Sequence, residues 1–296
     1  MSNPAQPLID LKKRKQFLVC IDSDGCAFDA MEIKHKECFA PVTIKEWGLQ
    51  PISKYAREVW EFVNLYSVWR GTNRFPALVK AFDLMKEREE IARRGFKFPD
   101  LAPLRKWIEG EPNLSNPFLE KAVAETGNPL LAKTLKWSRA VNKSIADMVH
   151  GVPPFPYVRK SLEKLREKAD AVVVSATPGE ALNREWQEHG LAEYIQVIAG
   201  QEMGTKKDHI RIAMAGRYDN THVIKLGDAW GDYNAAKSNN VLFYPINPGQ
   251  EEASWKRFFD EAFDRFIDGK YAGSYEEGLV GEFKKLLPAV PPWTPV

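Results

Sequence analysis

Cysteine is scarce in this chain of 296 residues: Cys20, Cys26 and Cys38 are an odd set without CxxC spacing. That argues against a disulfide framework and fits reduced thiols in a cytoplasm. No apolar run approaches the ~18 residues that a membrane span requires, and the polar, lysine-rich opening up to residue 16 lacks the apolar core of a secretion signal. An excess of one charge is missing too. The 42 Lys and Arg face 40 Asp and Glu without a long run of either sign, so no nucleic acid and no membrane is expected as a partner. A small soluble ligand is the better expectation, with the chain acting as a monomer or homodimer. The length allows one or two domains with a substantial core.

What is present is unevenly spread. Residues 30–150 hold 20 basic against 15 acidic side chains, the remainder 22 against 25, and five of the nine tryptophans (Trp47, Trp60, Trp69, Trp107, Trp137) lie in that middle. Apolar positions there recur at helical spacing, as in Ala56, Val59, Trp60 and Val63. We read a mostly α-helical insert ending at the proline-rich segment 151–156, where regular structure is excluded.

Beyond it the pattern alternates. Short apolar runs at 171–174, 194–198, 222–226 and 241–244 read as strands, with 17–21 as an earlier one. Helical patterns lie between them, including 178–189 and 208–215. This predicts an α/β fold with a parallel sheet, and runs such as Val172-Val173-Val174 suit a sheet covered on both faces. The aromatic stripe Trp255, Phe258, Phe259, Phe263 and Phe266 in the tail reads as helix packing.

Ligands of such sheets bind beyond the carboxyl ends of the strands, and polar clusters occupy those ends: Asp22-Ser23-Asp24-Gly25, Ser175, and Gly227-Asp228 with Asp232 four residues on. Lys206 belongs to a fourth. Each alone has a bland reading: a solvated turn for the first, a helix cap for Ser175 or Asp228, a solvated side chain for Lys206. Four of them in order point to Mg²⁺-dependent phosphoryl transfer, in which carboxylates attack phosphorus, move a proton and hold the cation.

On these motifs the chain resembles the haloacid dehalogenase superfamily, in its phosphatase-type branch with a helical C1-type cap inserted after the first motif. The resemblance covers about residues 15–29 and 153–250. It implies a three-layer, Rossmann-like core built from 1–29 and 151–296, and a cap over 30–150. It implies further that Asp22 is the nucleophile and Asp24 the general acid/base. Mg²⁺ would be held by Asp22, the Asp24 carbonyl and Asp228, with Asp232 orienting Lys206 or a metal-bound water. Gly25, Ser175, Ala176 and Lys206 would surround the phosphoryl group. Two departures stand out: Cys26 occupies a position where relatives often carry Thr, and Lys207 competes with Lys206 for the lysine role.

Within the insert, Trp69-Arg70-Gly71-Thr72-Asn73-Arg74-Phe75 is the leading specificity loop, because Arg70 and Arg74 forks with the Asn73 amide suit carboxylate or phosphate oxygens. A helix-helix turn with solvated arginines is the competing reading. The expected activity is hydrolysis of a small-metabolite phosphate monoester. The alternatives are a sugar-phosphate mutase of the same superfamily, or a non-catalytic ligand-binding protein that keeps the fold.

Overall fold

The structure, a computed structural model, describes residues 3–294. Within them the chain forms two compact units. One joins the stretch ending at Met31 to Gly151–Pro288, the other joins Glu32–His150 to the stretch beginning at Ala289.

The first unit is built on five parallel strands: β1 (Phe17–Ile21), β2 (Ala169–Val174), β3 (Val197–Ala199), β4 (Val223–Gly227) and β5 (Leu242–Pro245), in the order β3-β2-β1-β4-β5. Every residue of β1, β2 and β4 is buried, as expected of strands with helices on both faces. Alternation sorts the side chains into two cores. Val19, Ile21, Val173, Ile224 and Leu226 pack with Leu162, Trp186 and Phe258 on one face. Leu18, Cys20, Val172, Val174 and Phe243 pack with Ile210, Ala213, Val280 and Phe283 on the other. The result is the expected three-layer α/β core.

Boundaries differ from the expectation where turn chemistry intervenes. The third strand starts at Val197, because Ala192–Tyr194 closes as a 3-10 turn. The helix expected from 208 starts at Lys206, because Thr205 caps it: Thr205 Oγ1 accepts the Asp208 N–H at 3.2 Å and the Asp208 carboxylate accepts the Thr205 N–H at 3.3 Å. The aromatic tail divides into Glu251–Arg257, a wide turn Phe258–Ala262 and Phe263–Ile267, burying Trp255, Phe258, Phe263 and Phe266. A buried carboxylate, Asp170 in β2, pins the N-terminal arm: it accepts the Arg14 and Lys15 N–H groups, each at 2.8 Å, and the Tyr218 hydroxyl at 2.7 Å.

The second unit is helical, with Ser53–Leu65, Arg74–Lys86, Ala102–Gly110, Asn116–Thr126 and Pro129–Met148 as its main elements. Their apolar faces enclose Trp60, Phe75, Phe82 and Trp137, and the Trp137 indole donates to Thr43 Oγ1 at 3.0 Å. Trp293, from the returning end of the chain, stacks edge-on to Phe62 at 5.3 Å and lies under the Arg88 guanidinium at 4.6 Å. Among the described residues no helix is long and apolar enough to cross a membrane.

Candidate active site

The strand order places β1 at the centre, with β2 on one side and β4 on the other. The chain runs from β1 to β2 and β3 on one side and then crosses back to β4 and β5 on the other, so a crevice opens beyond the carboxyl ends of β1 and β4. Asp22 follows β1 directly, and its N–H donates to the Leu226 carbonyl at 3.1 Å, which locks the two strand ends together.

The loop after Asp22 is tightly determined. The Ser23 carbonyl accepts the N–H groups of Cys26, Ala27 and Phe28 at 3.3, 2.8 and 3.0 Å. Gly25 adopts a left-handed φ of 73°, which its lack of Cβ permits. Ser23, wholly buried, receives the Trp186 indole N–H at 2.9 Å and donates to Glu185 at 3.0 Å. Both catalytic candidates therefore flank a residue that the Gly179–Glu188 helix holds in place.

Three carboxylates converge here. Asp22, Asp228 and Asp232 are buried, and one oxygen from each lies within 4.8 Å of the others. Lys206 bridges two of them, with Nζ 2.6 Å from Asp22 Oδ2 and 2.9 Å from Asp232 Oδ1. Lys207 is exposed instead, so it is Lys206 that reaches Asp22. Asp228 does not cap the following helix, whose N-cap is Ala229.

Burial, and then the charge of Asp232, push the Asp22 carboxyl up to about 7 despite Lys206. Burial would also raise Asp232, but Lys206 and Lys225 hold its carboxyl below the ordinary value. For Lys206, burial opposes charge while Asp22, Asp232 and Asp228 outweigh it and raise the ammonium above its usual range. Burial, with Asp22 next, also raises the Cys26 thiol well above its ordinary value. It is a packed neutral group and no nucleophile.

Ser175 extends β2 by one residue, its N–H donating to the Ala199 carbonyl at 3.1 Å, and its Oγ accepts the Thr177 N–H at 3.2 Å. In register Ile21 pairs with Val173, so Ser175 and Asp22 leave adjacent strands at nearly the same level. Ala176 is exposed beside it. Thr177 went unnoticed in the sequence: its Oγ1 donates to Asp24 Oδ2 at 2.8 Å and ties that carboxylate to the loop after β2. Lys225, also unnoticed, pairs with Asp232 Oδ1 at 2.9 Å from inside β4.

The arginine loop lies in the helical unit, where each residue has partners of its own. Arg70 is buried and donates to the Leu65 carbonyl at 3.0 Å. Asn73 caps the Arg74–Lys86 helix, its Oδ1 accepting the Phe75 N–H at 3.1 Å, and its amide donates to the Leu114 carbonyl at 2.8 Å. Arg74 lies over the Phe39 ring and donates to Ser138 and, at 2.6 Å, to Asn142. Burial lowers the Arg74 guanidinium to about 10.

A family model described as haloacid dehalogenase-like hydrolase matches residues 111–245, a span that includes Ser175, Lys206, Asp228 and Asp232 and stops short of β1. None of the curated proteins matches the sequence. Among solved structures, one from Bacteroides fragilis described as a haloacid dehalogenase-like hydrolase aligns with a TM-score of 0.50 at 13% identity, over 81% of this chain and 93% of that one. β-Phosphoglucomutase from Clostridium difficile aligns with a TM-score of 0.50 at 12% identity, over 86% and 97%. These likenesses establish the fold, and over residues 111–245, the span that holds Ser175, Lys206, Asp228 and Asp232, the chain is similar to haloacid dehalogenase-like hydrolases.

Proposed function

We propose that the chain is a Mg²⁺-dependent phosphatase that hydrolyses the phosphate monoester of a small metabolite through an aspartyl-phosphate on Asp22. One observation carries this reading: three buried carboxylates within 4.8 Å of one another, with Lys206 bonded to Asp22 at 2.6 Å. Lys206 and Lys225 offset part of the repulsion among the three carboxylates, and a divalent cation would offset the rest. Asp232 Oδ2 supports this, since it is buried without a hydrogen-bond partner. An all-oxygen donor set suits a hard ion such as Mg²⁺ better than zinc. Asp22, Asp228 and Asp232, with the Asp24 carbonyl, would hold it, and when bound it would neutralise charge on the phosphoryl oxygens.

The chain's own residues divide the rest of the work. Asp22 attacks phosphorus while Lys206 and Ser175 bind the non-bridging oxygens, with the Gly25 and Ala176 backbone beside them. Asp24 gives its proton to the leaving oxygen and then takes one from the water that attacks the aspartyl-phosphate. Thr177 aims the Asp24 carboxylate for both steps.

The experiment is phosphate release from p-nitrophenyl phosphate. We expect turnover with Mg²⁺, none after chelation and none in Asp22→Asn; activity that survives the chelator would contradict the proposal. A sugar-phosphate mutase is the second reading, since a β-phosphoglucomutase shares the fold. An isomerised sugar phosphate as product, with no free phosphate, would select it.

A further inference from the structure

A lysine inside a buried parallel strand is costly unless its ammonium group is fully matched. Lys225 is wholly buried in β4, where its register partners are Cys20 and Phe243. Its Nζ donates to the Leu226 carbonyl at 2.9 Å and contacts the Val174 carbonyl at 3.5 Å. The same ammonium pairs with Asp232 Oδ1 at 2.9 Å, and Lys206 takes that very oxygen at 2.9 Å. One oxygen of Asp232 thus carries two ammonium groups, while Oδ2 is buried with no hydrogen-bond partner.

One lysine suffices to neutralise Asp232, so the second acts on the cluster as a whole. When ionised, Asp22, Asp228 and Asp232 outnumber Lys206 and Lys225 by one negative charge. A divalent cation turns that into a site with one net positive charge, suited to a phosphoryl dianion. Without Lys225 the loaded cluster would be neutral. At a few ångströms in a poorly solvated site, one unit of charge decides between binding and rejecting an anion.

We propose that Lys225 is a positioning residue with a second task. It holds Asp232 through Oδ1, leaving Oδ2 for the cation, and it keeps the loaded site positive, which strengthens phosphoryl binding and weakens cation binding. This rests on the phosphoryl-transfer reading above.

Two bindings with opposite signs test it. Lys225→Gln removes the charge and keeps a donor for Asp232; Lys225→Met removes both and serves as the companion should either variant fail to fold. Calorimetric titration of Mg²⁺ into chelator-stripped protein should show roughly threefold to tenfold tighter binding in Lys225→Gln than in wild type. Titration of inorganic phosphate into the Mg²⁺-saturated protein should show binding weakened by about tenfold or more. If both ligands weaken together, Lys225 is only a strut for Asp232 and the charge-setting role is overturned. Unchanged affinities overturn the whole inference. Neither titration needs turnover: wild type that binds both ligands yet releases no phosphate from any ester sinks the phosphatase reading and leaves the comparison of variants standing. Wild type that binds no Mg²⁺ sinks both.

Discussion

Gly227 has no side chain for a reason that lies five residues further on. A Cβ at that position would collide with both Cβ and Cγ of Asp232, because the Asp232 side chain packs onto the bare backbone at the end of β4. We expect Gly227→Ala to cost about 1–3 kcal/mol of stability by overpacking, and to weaken Mg²⁺ binding by roughly tenfold or more through displacement of Asp232. Chemical denaturation and Mg²⁺ titration check the pair; unchanged cation affinity would show that Asp232 can move without loss. Asp22 supplies a pH test. In metal-free protein its carboxyl is raised to about 7, by burial first and Asp232 second. A carboxyl raised on folding contributes stability below its unfolded value, about 4, and loses it as pH rises through the folded one. Thermal unfolding with chelator should therefore show Asp22→Asn gaining on wild type between about pH 4 and 7; the opposite slope would contradict the assigned shift. At this scale the sequence was legible where a residue's type is rare at its position. Carboxylates just past apolar runs announced Asp22 and Asp228. Lys225 was hidden by the same logic, since a charged residue within a short apolar run reads as one side of a strand facing water, and nothing local reveals the carboxylate above it. Thr177 was hidden because its partner, Asp24, is 153 residues away.

At the scale of elements, the Lys206–Met214 helix shows how a terminus positions chemistry. Lys206 is its first residue, and the reciprocal bonds of Thr205 and Asp208 hold that end. We expect Thr205→Ala to cost about 1 kcal/mol and to lower kcat by roughly threefold to tenfold, with a smaller change in KM, because Lys206 loses its fixed origin. Steady-state kinetics beside denaturation decide it: full stability loss with unaltered kcat would mean that the pairing with Asp22 and Asp232 holds Lys206 unaided. The strands were read well from the sequence because β-branched and apolar runs of this length have few other solutions; β1 has the expected bounds and β4 and β5 differ by one residue. The miss at β3 followed from Tyr194 and Ile195, apolar residues that serve a 3-10 turn and its exit. The helix start was missed because Thr205-Lys206-Lys207-Asp208 reads as polar loop unless its capping box is recognised. The segment expected to set specificity illustrates a subtler limit. Arg70, Asn73 and Arg74 have the residue types of a ligand contact, and the structure shows them also tying and capping helices.

For the whole molecule, the sheet order β3-β2-β1-β4-β5 does what no local motif can. It sets the ends of β1, β2 and β4 side by side, so that residues 22, 175 and 228 share one rim although the helical insert separates the first from the others. The order of motifs along the chain, read with the alternation of strands and helices, made that convergence visible in the sequence. The bonds inside the cluster were not visible, because hydrogen bonds between distant segments leave no spacing to read. The central claim is that Asp22 becomes covalently phosphorylated, and it has a direct test. Wild type and Asp24→Asn are mixed with Mg²⁺ and a phosphate ester, quenched in acid during turnover, and the peptide containing Asp22 is weighed by mass spectrometry. The account predicts the added mass of one phosphoryl group on Asp22, accumulating in Asp24→Asn and absent from Asp22→Asn; steady ester hydrolysis with Asp22 unmodified in both proteins would contradict it.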